Sequence, residues 1–154
     1  MKTRKATLED LDSVVTLSDM MVKFHADLDP YYAIYSKYED AREYYKKQLT
    51  KEGTLFVVTE NDDGEIVAYA SAYIISIENT DAPKIGVLVA NFVRDEFRGK
   101  GIGTAQHDFR MNWFKENGVT YAEMSVDARN AHALGLWKSK GFTEYQIKLK
   151  KELD

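Results

Sequence analysis

At 154 residues, with 44% hydrophobic, 12% aromatic and 30% charged side chains, the chain has the composition of one folded domain over residues 1–154, which excludes a disordered or fibrous protein. It holds no cysteine, so disulfides, a thiolate nucleophile and Cys-bound metal are excluded, and a net charge of −4 argues against a nucleic-acid partner. The charged opening of residues 1–10 and the lack of any apolar run approaching ~20 residues predict a cytoplasmic protein with no membrane partner.

Residues 2–7 read as a first strand. Thr7-Leu-Glu-Asp10 has the form of a capping box and opens a helix whose apolar stripe is Leu11, Val14, Val15, Leu17, Met21 and Phe24, broken at Asp29-Pro30. A second helix is predicted over 38–50, ending before Gly53. Two β-rich runs, 54–60 and 65–77, flank Asn61-Asp-Asp-Gly64, and the Asp-Gly pair predicts a hairpin, with 85–93 as the next antiparallel strand. A helix over 101–117 presents Ile102, Ala105, Phe109, Trp113 and Phe114 for one buried side and stops at Gly118. Then come a strand at 121–126, a helix at 130–140 stopped by Gly141, and a final strand at 142–149. The order βααβββαβαβ predicts an α+β, mixed α/β, sheet covered by helices.

Between Val93 and Thr104 a strand ends, a glycine-rich turn follows and a long helix begins at once. Glycines at 99, 101 and 103 let a phosphate approach the main chain, while the helix N-terminus and the side chains of Arg98 and Lys100 supply positive charge. A pyrophosphate suits such a turn; a plain glycine turn with solvated basic residues is the alternative. The nucleotide P-loop string is absent, and the dinucleotide fingerprint would need glycine where Thr104 stands.

Arg98-x-x-Gly101-x-Gly103 resembles the Arg/Gln-x-x-Gly-x-Gly/Ala signature of the GNAT superfamily of N-acetyltransferases. Asn130-x-x-Ala133-x-x-Leu136-Trp137-x-x-x-Gly141-Phe142 is similar to its second motif, and the element order fits its fold. The resemblance implies a central, mostly antiparallel twisted sheet, splayed between strands 4 and 5, with helices on both faces. It also implies acetyl-CoA as co-substrate and an amine as acceptor. By the same resemblance the backbone near Phe92 and Val93 pairs with the pantetheine arm. The N–H groups of Arg98, Gly99, Lys100, Gly101, Ile102, Gly103 and Thr104 take the pyrophosphate, and Asn130, Ala133 and Trp137 also meet the cofactor. The reaction implied is acetyl transfer to a primary amine of a small molecule or peptide, by direct attack in a ternary complex. A CoA-binding regulatory or degenerate domain without turnover is the alternative.

Many members of that superfamily carry a tyrosine where this chain has Trp137, and an indole N–H is not a practical proton donor to a departing thiolate. No carboxylate stands in Gly86–Phe92, so the general base is unassigned; Asn91 could orient a water or an amine, and a water chain could end on Glu78 or Asp127. The segment from His25 to Tyr35 often borders the acceptor site in the superfamily. There His25, Asp29, Tyr31 and Tyr32, with Asp27 and Tyr35, could hold a cationic amine, an aromatic connector being the alternative. The three histidines, 25, 107 and 132, lack metal-ligand spacing, and no metal is expected. A homodimer is left open.

Overall fold

In the computed structural model, which describes residues 1–29, 31–32, 40–81 and 83–153, hydrophobic alternation and turn chemistry resolve into nine regular elements among the described residues. They are β1 (Lys2–Lys5), α1 (Leu11–Leu28), α2 (Ala41–Thr50), β2 (Thr54–Glu60), β3 (Ile66–Ser76), β4 (Lys84–Val93), α3 (Ile102–Glu116), β5 (Tyr121–Met124) and α4 (Ala131–Ser139). The chain divides into two compact units, Met1–Met124 and Ser125–Asp154.

The first unit holds an open five-stranded sheet in the order β1-β2-β3-β4-β5. Neighbours are antiparallel except β4 and β5, which run parallel with Ile85–Leu88 opposite Tyr121–Met124. The Asn61–Gly64 turn joins β2 to β3 as its Asp-Gly pair predicts, with Gly64 at φ +82. Successive strand residues face opposite ways, so the two faces of β2 find different covers. Phe56 and Val58 join Tyr69, Ala90 and Phe92 against Val14 and Leu17 of α1, with Tyr45 and Leu49 of α2 packed alongside. On the other face Thr59 meets Gln106 of α3, and Val67 and Ala68 pack on Ile102.

The capping box at Thr7 forms as its spacing predicts, although a 3-10 turn at Leu8–Asp10 precedes α1. Asp10 is buried and accepts hydrogen bonds from Nη1 and Nη2 of Arg4, each at 2.7 Å, and from the Thr7 N–H at 2.8 Å. Those bonds to Arg4 above all hold its carboxyl below the usual carboxylate range, against the opposing effect of burial. A carboxyl lowered in the folded state adds stability that is present above pH ~4 and lost as the pH falls through the folded value. Asp10→Asn is therefore expected to cost about 2 kcal/mol at pH 7. Urea titrations should show the gap to the wild-type protein closing below pH ~4; a constant gap from pH 7 down to about 2 would contradict the assignment.

Two expectations need correction. The buried side of α3 consists of Ile102, Gln106, His107, Arg110 and Phe114, and does not include Ala105, Phe109 or Trp113. Polar side chains turn inward there because the sheet beneath offers them hydrogen-bond partners, a circumstance no apolar periodicity records. Residues 142–149 form no strand, and Tyr145, Ile147 and Leu149 are 69, 85 and 93% exposed. Their alternation is strand-like, but a strand exists only as part of a ladder, and the 125–154 unit offers no other strand among the described residues.

Candidate functional site

β5 ends at Met124 opposite Leu88, whereas β4 continues to Val93. Residues 89–93 therefore run on with no described strand beside them on that edge. The register of β4 against β3 also slips, Ala72 facing Leu88 but Ala70 facing Asn91, so β4 carries one extra residue there. The open edge leads into a 3-10 turn at Asp95–Phe97 and then into the Arg98–Gly101 turn.

Gly99 and Gly101 both sit at left-handed φ, +73 and +79, which favours glycine at each. Gly101 is the N-cap of α3, and no side chain caps the helix. A Cβ on Gly99 or Gly101 would meet no atom within 4 Å, so the space before the helix N-terminus is open. The first turn of a helix has no intrahelical partner for its N–H groups and carries partial positive charge. Arg98 is tethered there: it donates from Nε to the Val93 carbonyl at 3.1 Å, pairs with Asp95 at 2.6 Å, and lies 5.5 Å over the ring of Phe24. That position takes Phe24 out of the apolar stripe predicted for α1 and leaves it 41% exposed. Lys100 holds its ammonium 5.0 Å over the Phe97 ring. Phe92 is buried with its side chain in the α1 core, which leaves only its backbone for a ligand. Val93 is half-buried at the strand end.

Other predicted residues are found in more local roles. Asn130 is the N-cap of α4, its side-chain oxygen accepting the Ala133 N–H at 3.0 Å. Trp137 is buried, with the Phe142 ring edge-on at 5.5 Å. Asp127 pairs with Arg129 at 2.7 Å within the second unit. Glu78 is exposed in the turn after β3, at the end of the sheet where Ser76 faces Lys84. The glycine turn lies beyond the other end, ~30 Å away along β4 at strand rise, so the structure does not bring Glu78 to it. His25 bonds the Met21 carbonyl through Nδ1 at 2.9 Å and lies 5.4 Å from the Tyr32 ring, and Tyr31 and Tyr32 are 5.7 Å apart. Asp29 is buried, follows the last residue of α1, and its carboxylate accepts the Tyr31 N–H at 2.9 Å. Tyr35 lies outside the described residues. Among the described residues no group of three or more His, Asp or Glu side chains could hold a metal ion, and no helix is long and apolar enough to cross a membrane.

Sequence reasoning missed Arg110. It is fully buried on α3, and its guanidinium reaches the carbonyls of Ala90 at 3.0 Å and Ser71 at 3.3 Å and the side-chain oxygen of Asn91 at 2.7 Å. The available signal was an arginine four residues after Gln106 and four before Phe114 on one helix face.

Residues 21–142 match the model of the acetyltransferase (GNAT) family. An uncharacterized N-acetyltransferase of Methanocaldococcus jannaschii is 29% identical over 94% of this chain, which spans 61% of the length of that protein. Among solved structures, a mutant of the BH1408 protein from Bacillus halodurans superposes with TM-score 0.85 at 18% identity, covering 99% of both chains. The aminoglycoside N-acetyltransferase AAC(6')-Iy in complex with CoA superposes with TM-score 0.74 at 15% identity, covering 99% of this chain and all of that one.

Proposed function

Because the chain belongs to the acetyltransferase (GNAT) family, we propose that it moves an acetyl group from acetyl-CoA to a primary amine of a small molecule or peptide. The observation that carries this reading is the free edge of β4 at 89–93 running straight into the Arg98–Gly101 turn at the open N-terminus of α3. An extended pantetheine arm can pair with a free strand edge, and a diphosphate suits a helix N-terminus flanked by Arg98 and Lys100. The family match crosses both compact units, which supports treating residues 1–154 as one catalytic domain.

In the reaction proposed, the neutral amine nitrogen attacks the thioester carbonyl carbon, a C–N bond forms, the C–S bond breaks, CoA leaves as thiolate and the nitrogen gives up one proton to water as the amide forms. No cysteine can hold the acetyl group on the way, and transfer within a ternary complex needs no enzyme-bound acetyl. Main-chain N–H groups on the free edge of β4 are suited to steady the oxyanion.

A panel of polyamines, aminoglycosides, amino acids and peptides, assayed for thiol release from acetyl-CoA, tests this. At least one acceptor should give steady turnover, and mass spectrometry without acceptor should find no acetylated protein. Tight CoA binding with no turnover on any amine would favour a cofactor-binding regulatory domain; a kinetically competent acetyl adduct would overturn direct transfer.

A further inference from the structure

Arginine carries five N–H donors and no acceptor, so any side-chain atom it bonds must be an acceptor. The Arg110 Nη2–Asn91 bond at 2.7 Å therefore fixes which end of the Asn91 carboxamide is oxygen, and turns its NH2 the other way. That NH2 faces α3: a Cβ placed on Gly103 would lie 3.9 Å from Asn91 Nδ2. Asn91 is exposed, and among the described residues the hydrogen bond of its side chain is the one its oxygen accepts from Arg110. It stands on the part of β4 beyond the end of β5, one residue past the extra residue of the bulge, beside the first turn of the helix.

Arg110 is set apart by what it lacks. Its guanidinium bonds only neutral oxygens, those of Ser71, Ala90, Asn91 and the Gln106 main chain, and no carboxylate is paired with it among the described residues. Burying an unpaired cation is costly. Burial pushes its pKa down to about 10, which leaves it charged at neutral pH. Its bonds to the Ala90 and Ser71 carbonyls hold the bulge, and the Ser71 hydroxyl accepts the Ala90 N–H at 3.3 Å in the same network.

We propose that Arg110 is a positioning residue that presents the Asn91 NH2 as a hydrogen-bond donor to an acceptor oxygen of the bound cofactor, a carbonyl or a phosphate, beside Gly103. Asn91 is then a cofactor anchor and takes no proton from the amine. A carboxamide polarised by a buried cation is a stronger donor than a solvated one, and a local positive potential favours an oxygen ligand over an ammonium. The inference rests on the acetyl-transfer reading, and its test separates the two.

Asn91→Asp is the discriminating variant. It leaves Arg110 paired, now with a carboxylate, so the fold should be kept with the melting temperature unchanged or raised. It removes the donor and sets a negative charge beside Gly103. Titration calorimetry should show acetyl-CoA binding weakened about tenfold or more, as loss of a charge-assisted bond implies, and kinetics should show the rise in KM for acetyl-CoA with no gain in affinity for the amine. Parallel titrations with S-acetylpantetheine and with ADP locate the oxygen: a loss confined to the first points to a carbonyl, and one confined to the second to a phosphate. Unchanged acetyl-CoA affinity, or tighter amine binding with faster turnover, would overturn the anchor. Arg110→Lys tests the positioning step in the free protein, where the Asn91 side-chain amide resonance should move towards its solvent-exposed position; no movement would overturn it. A wild-type protein that binds no CoA overturns the acetyl-transfer reading instead, and the free-protein resonance then still decides whether Arg110 sets the carboxamide.

Discussion

Gly101→Glu is expected to abolish acetyl-CoA binding while the protein stays folded. The position faces open space before the N-terminus of α3, where a Cβ meets no atom within 4 Å, so the new carboxylate would occupy the room proposed for the diphosphate. Two like charges about 5 Å apart at an effective dielectric of about 20 repel by roughly 3 kcal/mol, which is more than two decades of affinity. Because Gly101 sits at φ +79, any side chain also meets backbone strain of roughly 1–2 kcal/mol. Gly101→Ala shares that strain without the charge and should keep most of the affinity. Calorimetric titration of both variants decides the matter: wild-type affinity in a folded Gly101→Glu protein would remove the turn from the cofactor site.

Gly86→Val should be the most damaging single change to stability. Gly86 is buried in β4 between Ile74 of β3 and Ala122 of β5, and a Cβ there would stand 2.6 Å from ring atoms of Phe114. The ring is itself buried, so it must shift within the core to make room. Overpacking of this kind costs typically about 1–3 kcal/mol, and a β-branched side chain lies at the upper end. Urea unfolding should show a lowered midpoint for Gly86→Ala and a lower one for Gly86→Val. Adding Phe114→Leu to Gly86→Ala should recover part of the loss, since the two sites share one space. A Gly86→Ala midpoint equal to wild type would show that Phe114 does not fill the glycine's place.

The turn that carries the proposed chemistry is legible in the amino-acid sequence, because each of its signals is local. Glycines that take left-handed φ, a helix start directly after them and two cations within three residues are written in consecutive positions. The same holds for the capping box at Thr7 and the hairpin at Asp63-Gly64, where a short-range hydrogen bond or a backbone preference decides the outcome. Family motifs at 98–103 and 130–142 are local strings too, and they suffice for the fold.

What the sequence could not determine depends on partners far along the chain. The burial of Arg110 becomes visible only once β3 and β4 lie beneath α3 and the Ala90 carbonyl, 20 residues before it, comes within hydrogen-bond reach. The direction of the Asn91 carboxamide follows from Arg110 alone and so appears only with that packing. The strand pattern at 142–149 is real as a pattern, but a pattern supplies side-chain faces and no ladder, and these residues stand without one. The positions of Glu78, past the end of the sheet where Ser76 faces Lys84, and of Asp127, paired with Arg129, likewise appear only with the fold. Local preference is fixed by the neighbours a residue has in sequence, whereas the fate of a polar side chain is fixed by which unpaired groups the fold brings within about 3 Å of it.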